Sequence, residues 1–240
     1  MSFRLFFYVS CLALFACLLS ACEKDPEAQV VTLNIKAKAN GKEFALNEVY
    51  TNALGQRYRV NTLLFYLSDL RLLKDDGTEV ELFDVILHDF NSPKILTDTL
   101  PTGTYTALKF GLGLDSLKNA TNPADIAPPN PLSYAVAHYW DWASKYIFAK
   151  VEGYVTADAT AVPNQAFIFH TGFDDLYRQV SLPRNFEVGK DPAELTLTLD
   201  FDKLWNTPQN IDLINNGNTQ TFDNFPDALT MVNNFALAFE

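Results

Sequence analysis

The 240-residue chain predicts an all-β fold, an antiparallel β-sandwich of immunoglobulin-like or Greek-key type with long loops and one or two short helices. Three observations point there. Apolar residues alternate with polar ones in short runs, a period-two pattern. Turn signals built on Asn-Gly, Asp-Gly and Pro-x-Gly separate the runs. The runs number about eight, and few stretches carry helical spacing.

The N-terminus comes first. Arg4 is the only charge among the first 21 residues, and Leu5 to Leu19 is almost wholly apolar. Leu19-Ser20-Ala21-Cys22 matches the bacterial lipoprotein signal, in which the cysteine is acylated and becomes the new first residue. So short an apolar stretch, ending in small residues, predicts a signal peptide over 1–21 rather than a membrane span. Residues 22–29 are then a lipidated linker, and 30–240 a single domain. Cys11 and Cys17 leave with the signal and Cys22 carries lipid, so the mature domain has no thiol and no disulfide. A domain this long buries a self-sufficient core without them.

The strands follow in order. Leu33, Ile35 and Ala37 alternate with Thr32, Asn34, Lys36 and Lys38 up to the hairpin-type turn Asn40-Gly41. Leu64, Tyr66, Leu70 and Leu72 share one face of the next run, which Asp75-Asp76-Gly77 turns into Glu79 to Leu87. Leu100-Pro101-Thr102-Gly103 leads into Tyr105 to Leu114. Later strands are expected at Tyr146 to Thr156, Ala166 to His170, Leu176 to Leu182 and Leu195 to Phe201. Two stretches break the pattern. Asp115 to Ala137 carries Pro123, Pro128, Pro129 and Pro131, and a long irregular loop inside a compact domain is often functional. Trp205 to Asn234 reads as loop plus the short helices, closing with the apolar run Phe235 to Phe239.

Charge narrows the partners. Without Arg4 the mature chain has 17 basic against 29 acidic residues, a net charge of about −12, which disfavours nucleic acid and anionic lipid. The tether is the only membrane attachment expected. Catalytic signatures are missing: no Gly-x-Ser-x-Gly elbow, no His-Glu-x-x-His helix, no phosphate loop and no dinucleotide fingerprint.

What stands out is the aromatic run His138-Tyr139-Trp140-Asp141-Trp142, with Phe169-His170 soon after. Two of the three Trp and two of the three His lie between residues 138 and 170. His88, His138 and His170 each fall at the edge of a predicted element, where an imidazole can stand with an open coordination position. Imidazole suits copper and zinc, whereas the lack of thiols argues against thiolate zinc. Taken singly, a His reads first as an ordinary capping or partly buried ring, and only for His138, beside the Trp-Asp-Trp run, do the two readings weigh the same. In an extended segment His138, Trp140 and Trp142 share a face; in a helical turn they do not. Trp205 reads as a core anchor.

Several ordered motifs resemble one family. They are Leu67-Ser68-Asp69-Leu70-Arg71-Leu72, Leu100-Pro101-x-Gly103-x-Tyr105 and Phe110-Gly111-Leu112-Gly113-Leu114-Asp115. Tyr139-Trp140-x-Trp142, Tyr146-x-Phe148, Glu152-Gly153 and Phe169-His170-x-Gly172 follow. Asp200-x-Asp202-Lys203-Leu204 and Asn233-Asn234-Phe235-Ala236 close the series. Together they resemble the methanobactin-associated periplasmic protein family (MbnP-like), over roughly residues 30 to 240. The resemblance implies an exported, β-rich protein encoded beside a di-haem cytochrome c peroxidase-like enzyme. That partner oxidises a Trp to kynurenine, and the modified residue binds copper together with His. Carried over, Trp140 or Trp142 is the modified residue, with His138 and His170 as copper ligands and His88 as a further candidate. The chain departs from the family pattern at His138, where an apolar residue is expected, and at Lys145, where Gly is usual.

The expected function is therefore a non-enzymatic, lipid-anchored copper-binding protein of the cell envelope, or the redox partner and substrate of the di-haem enzyme. It would face the periplasm or the cell surface, with the outer membrane as a compatible site. The alternative is a cell-surface β-sandwich that binds carbohydrate or peptide on exposed aromatic rings. A third reading leaves the aromatic run as core.

Overall fold

The computed structural model describes residues 27–240. The predicted signal peptide at 1–21, the predicted lipidation site Cys22 and most of the predicted linker lie outside the described residues.

Two sheets face each other. The smaller is built on β1 (Ala28–Ala39), which pairs with β2 (Lys42–Glu43), β6 (Leu96–Pro101) and β12 (Ala193–Asp200). The larger runs β11 (Arg178–Val188), β7 (Gly103–Leu112), β4 (Arg57–Lys74), β9 (Lys145–Thr156), β10 (Gln165–Gly172) and β13 (Asn218–Thr219). Short strands β3 (Tyr50–Thr51) and β8 (Tyr139–Trp140) pair with β4 and β9, and β5 (Glu79–Asp89) pairs with β4. The all-β sandwich is thus present. Its pairing is not wholly antiparallel, because β1–β12 and β10–β13 run parallel. Alternation reports which face of a strand is buried and is silent on strand direction, so the sequence could not supply this.

The predicted alternations of β1 and β12 place the core, whereas that of β4 splits: Leu64 and Tyr66 face outward and Leu70 and Leu72 inward, because the register slips at Asp69 between them. Leu33 and Ala37 of β1 and Leu195, Leu197 and Leu199 of β12 turn inward. They meet Leu63, Phe65, Leu67, Leu108, Phe110, Val151, Phe167 and Phe169 of the large sheet. Each such side chain contributes roughly 1.5–3 kcal/mol of burial. The Asn40-Gly41 turn takes positive φ at both residues (+51° and +74°), which matches the twist of a two-residue hairpin.

Two strand ends differ from expectation. Leu176 belongs to a 3-10 turn (Asp174–Leu176), so β11 starts at Arg178. Phe201 continues the β12 alternation in sequence but opens α2 (Phe201–Asn206), because the Asp200 carboxylate accepts from the Asp202 and Lys203 amides and caps a helix. α2 and α3 (Phe225–Leu237) close one end of the core with Phe201, Leu204, Trp205, Met231 and Phe235. Trp205 is 1 % exposed, the anchor its position suggested.

β4 is 18 residues long and changes partners along its length. Leu64 faces Asp89 of β5 across one edge and Lys150 of β9 across the other. Leu67 faces Ile86 of β5 and Leu112 of β7. β7 and β9 therefore dock in succession on the same edge of β4, and the chain between them leaves the sheet. That excursion starts with α1 (Ser116–Asn119) and includes the proline-rich stretch. It folds onto the outer face of the sheet, where Leu132, Ile126 and Ala137 cover Tyr66, Tyr146 and Phe148 in a second, smaller core. The phenols are tied to it: Tyr146 Oη donates to the Leu132 carbonyl (2.8 Å) and Tyr66 Oη to that of Pro131 (3.1 Å).

Candidate functional site

The excursion returns to the sheet at His138, whose carbonyl accepts from the Ile147 amide (2.9 Å). β8 then pairs with the start of β9, Tyr139 opposite Tyr146 and Trp140 opposite Lys145. The segment is an extended arm of a hairpin. Trp140 and Trp142 come out on the same side and stack, with ring centres 5.6 Å apart and planes 29° from parallel. Trp142 is 75 % exposed, which rules out the reading of this run as buried core. To return, the hairpin puts Lys145 at φ +67°, the left-handed region. A glycine, with no Cβ, would enter that region at no steric cost, which fits the glycine the family resemblance leads one to expect there.

Across the outer face, His170 of β10 lies opposite Lys150 of β9, Lys150 opposite Leu64 of β4, and Leu64 opposite Asp89 of β5. Directly opposed residues share a face, so these four form one row. The His170 ring lies 5.5 Å from that of Trp140. His170 Nε2 meets Glu152 Oε1 at 2.7 Å, and Lys150 Nζ lies 3.3 Å from the same oxygen. Burial lowers the His170 pKa, and the Glu152 contact only partly restores it. Burial also works against the Glu152 carboxylate, but hydrogen bonds from His170 and Thr62 and the Lys150 charge outweigh it and hold the group below its usual range. A neutral imidazole donating from Nε2 to a carboxylate fits both directions. That tautomer is assigned from the network, and it leaves Nδ1 a lone-pair acceptor. Nδ1 is buried and has no partner among the described residues.

His138 belongs to the same neighbourhood. Its pKa is lowered, first by burial and then by Lys150, while Asp89, His170 and Glu152 also act on its charge. His88 does not belong there. It lies opposite Phe65 on the inner face, 5 % exposed, edge-on to Phe90 at 4.7 Å, and burial pushes its pKa down to about 4. The three His therefore do not converge: His138 and His170 share the outer face and His88 is a core residue. Period-two parity along β5 puts His88 with Ile86 and Leu82, a signal outweighed by its position at the strand end.

Sequence reasoning also passed over residues that hold His170. Glu152 and Lys150 were visible as charges on a β9 face that is otherwise Tyr146, Phe148 and Tyr154. Thr221 was not visible at all. Its hydroxyl donates to the His170 carbonyl (2.9 Å) and accepts from the Gly172 amide (3.0 Å), clamping the end of β10. Thr221 is fully buried at φ +72°, and Phe173 adopts φ +100° beside it. Such conformations cost of order 1–3 kcal/mol each and persist only where the surroundings impose them.

A family model described as MbnP matches residues 28–224. The chain belongs to the MbnP family. A solved structure, MbnP from Methylosinus trichosporium, aligns with a TM-score of 0.58 at 16 % identity, covering 85 % of this chain and 87 % of that one. At that identity the likeness is one of fold. No curated protein matches the chain. Within this MbnP-family fold, no three or more His, Cys, Asp or Glu side chains are grouped to hold a metal ion among the described residues. The outer-face site offers two imidazoles and two stacked indoles.

Proposed function

We propose that this MbnP-family chain is a non-enzymatic, lipid-anchored protein of the cell envelope whose indole pair is the substrate of a di-haem cytochrome c peroxidase-like partner. The observation that carries the reading is the stacking of Trp140 on an exposed Trp142, with the His170 ring against Trp140. An exposed indole is within reach of a partner's surface, and stacking spreads a developing positive charge over two rings. Conversion of one of them to kynurenine cleaves the indole C2–C3 bond at the expense of peroxide or dioxygen consumed by the partner, giving an N-formyl ketone. Water then releases the C2 carbon as formate, a net gain of one oxygen and loss of one carbon. The conversion leaves an aromatic amine and a ketone beside His170.

Copper enters only through that change. His138 and His170 are the imidazole donors of the site, and by themselves they do not complete a metal-binding group. His170 Nδ1 is the orphaned nitrogen that a further ligand-bearing group would complement. The aromatic amine supplies a further nitrogen donor of the kind that suits copper beside imidazole. Unmodified protein is therefore expected to bind copper no better than a generic acidic surface, and modified protein to bind it through His170.

Intact-mass measurement on the chain produced with and without the di-haem partner tests the reading. The expected result is the one-oxygen, one-carbon change, mapped to Trp140 or Trp142 and lost in the double Phe variant. An unchanged mass with an active partner present overturns it. A second reading is favoured by the free outer face of the Trp142 ring, the usual geometry for stacking on a sugar. Carbohydrate titration followed by indole fluorescence, with Trp142→Ala as control, decides for that reading if binding is seen and lost.

A further inference from the structure

The outer face holds a second concavity, beside the C-terminal half of β4, whereas His170 lies near its N-terminal half. It encloses about 670 Å³ and is lined by Asp69, Arg71, Glu79, Lys109, Gly111 and Tyr177, among others. That volume falls in the range of small-molecule sites, roughly 300–1,000 Å³. Three local features build it. The β4 register slips between Ser68 and Arg71, with Asp69 at φ +48°, a bulge that turns Asp69 and Arg71 toward the same space. Gly111 forms the floor: a Cβ there would collide with the Tyr177 ring and hydroxyl, so only glycine lets that ring lie against the strand as a wall. Beyond it, Arg71 and Lys109 stand directly opposite each other on neighbouring strands.

The charges in the cleft alternate in sign, and they are unequally satisfied. Lys109 Nζ meets Glu79 at 2.6 Å, and Lys118 Nζ meets Asp69 at 3.1 Å. Arg71, by contrast, has carboxylate oxygens only at 3.5 Å (Asp69), 3.6 Å (Glu81) and 3.9 Å (Glu79). Its Nε is buried with no partner among the described residues. A guanidinium presents a planar fork of donors that a carboxylate fills with two parallel hydrogen bonds. Here it makes one long hydrogen bond, from a terminal nitrogen to Asp69 at 3.5 Å, and has no two-pronged partner among the described residues. A plain anion placed on it would meet the carboxylates of Asp69, Glu79 and Glu81. A plain cation beside those carboxylates would meet Arg71 and Lys109. A molecule carrying both charges a few bonds apart answers both.

The geometry points to this cleft as a binding site for a small zwitterion of the α-amino acid or short-peptide class. Its carboxylate fills the Arg71 fork, its ammonium faces Glu79 and Asp69, and its body lies on Tyr177. The site is separate from the indole pair and stands whether or not that pair is oxidised.

The test uses the purified chain with free L-amino acids and glycylglycine as probes, and acetate and methylammonium chloride as single-charge controls. Amide chemical-shift changes and calorimetry are the readouts. The expected result is binding of at least one zwitterion, with shifts confined to β4, β7, the start of β5 and the start of β11, and none with either control. Arg71→Gln, at a side chain 40 % exposed and so compatible with folding, is expected to weaken binding roughly tenfold or more. Arg71→Lys, which keeps the charge and loses the fork, is expected to weaken it as well. Absence of any zwitterion binding, equal binding of acetate, or full binding by Arg71→Lys overturns the proposal.

Discussion

At Thr221 a β-branched side chain occupies a backbone conformation that suits glycine, and its hydroxyl repays the strain by bonding both sides of the turn after His170. Removing that hydroxyl while keeping the shape strands a buried carbonyl and a buried amide. Thr221→Val is therefore expected to cost about 2–4 kcal/mol in urea unfolding, and Thr221→Ser about 1 kcal/mol or less. Equal losses in the two variants would show that packing, not the hydroxyl, holds this turn. Lys145 is the opposite case. Its left-handed conformation has no side-chain hydrogen bond to compensate it among the described residues, and the side chain is exposed. Lys145→Gly is expected to stabilise the fold by about 1 kcal/mol, read as a raised urea midpoint with an unchanged slope.

Among the elements, the chain from Asp115 to Ala137 was recognisable in the sequence as an interruption, from its four prolines and lack of period. Its action as the cover of a second core was not, because Ile126, Leu132 and Ala137 follow no regular spacing and their partners lie on distant strands. Leu132→Ala should open a cavity there, with a loss of about 2–4 kcal/mol. Because the core between the sheets is a separate cluster, the effect is expected to be local: faster amide exchange over residues 123–147 and a red-shifted, quencher-accessible Trp140, with protection in β1 and β12 retained. Uniform loss of protection across both sheets would contradict the division into two cores. The strands show the same limit on what a sequence reveals. Leu33, Leu195, Leu197 and Leu199 declare their faces by alternation, while the parallel contact of β1 with β12 depends on pieces about 160 residues apart. In the site, His138, Trp140 and His170 were legible as rare residue types close together. Glu152 was legible only as one charge within a motif and Thr221 not at all, because neither is rare and each acts on His170 through a tertiary contact.

On the scale of the whole molecule, the imidazoles give the fold a one-sided response to acid. His88, His138 and His170 all have lowered pKa values, with burial the first cause in each. An imidazole lowered by folding costs nothing while both states are neutral. As pH falls below about 6.5, the unfolded chain takes up a proton that the fold resists, and stability declines until the folded pKa is passed. For His88, at about 4, the decline amounts to roughly 3 kcal/mol across that window. Glu152 acts in the same direction, since a carboxylate with a depressed pKa loses its contribution as pH falls through the folded value. Unfolding free energies at pH 7.5, 6 and 5 should therefore fall steadily. His88→Phe, which packs against Phe65 and Phe90, should flatten the slope; an unchanged slope would place the acid response elsewhere.

The succession of β7 and β9 along one edge of β4 has a consequence for how such a protein diverges. Everything from Gly113 to Ser144 is spliced into a seam of the large sheet, anchored at both ends by strands that pair with β4 directly. The seam works as a cassette position. Its content, including both indoles and His138, touches the β4 ladders through the outer face, by covering Tyr66, Tyr146 and Phe148 and by pairing β8 with the start of β9. His170, Glu152 and Arg71 belong to the fixed frame. A relative could therefore keep the frame and exchange the chemistry held against it.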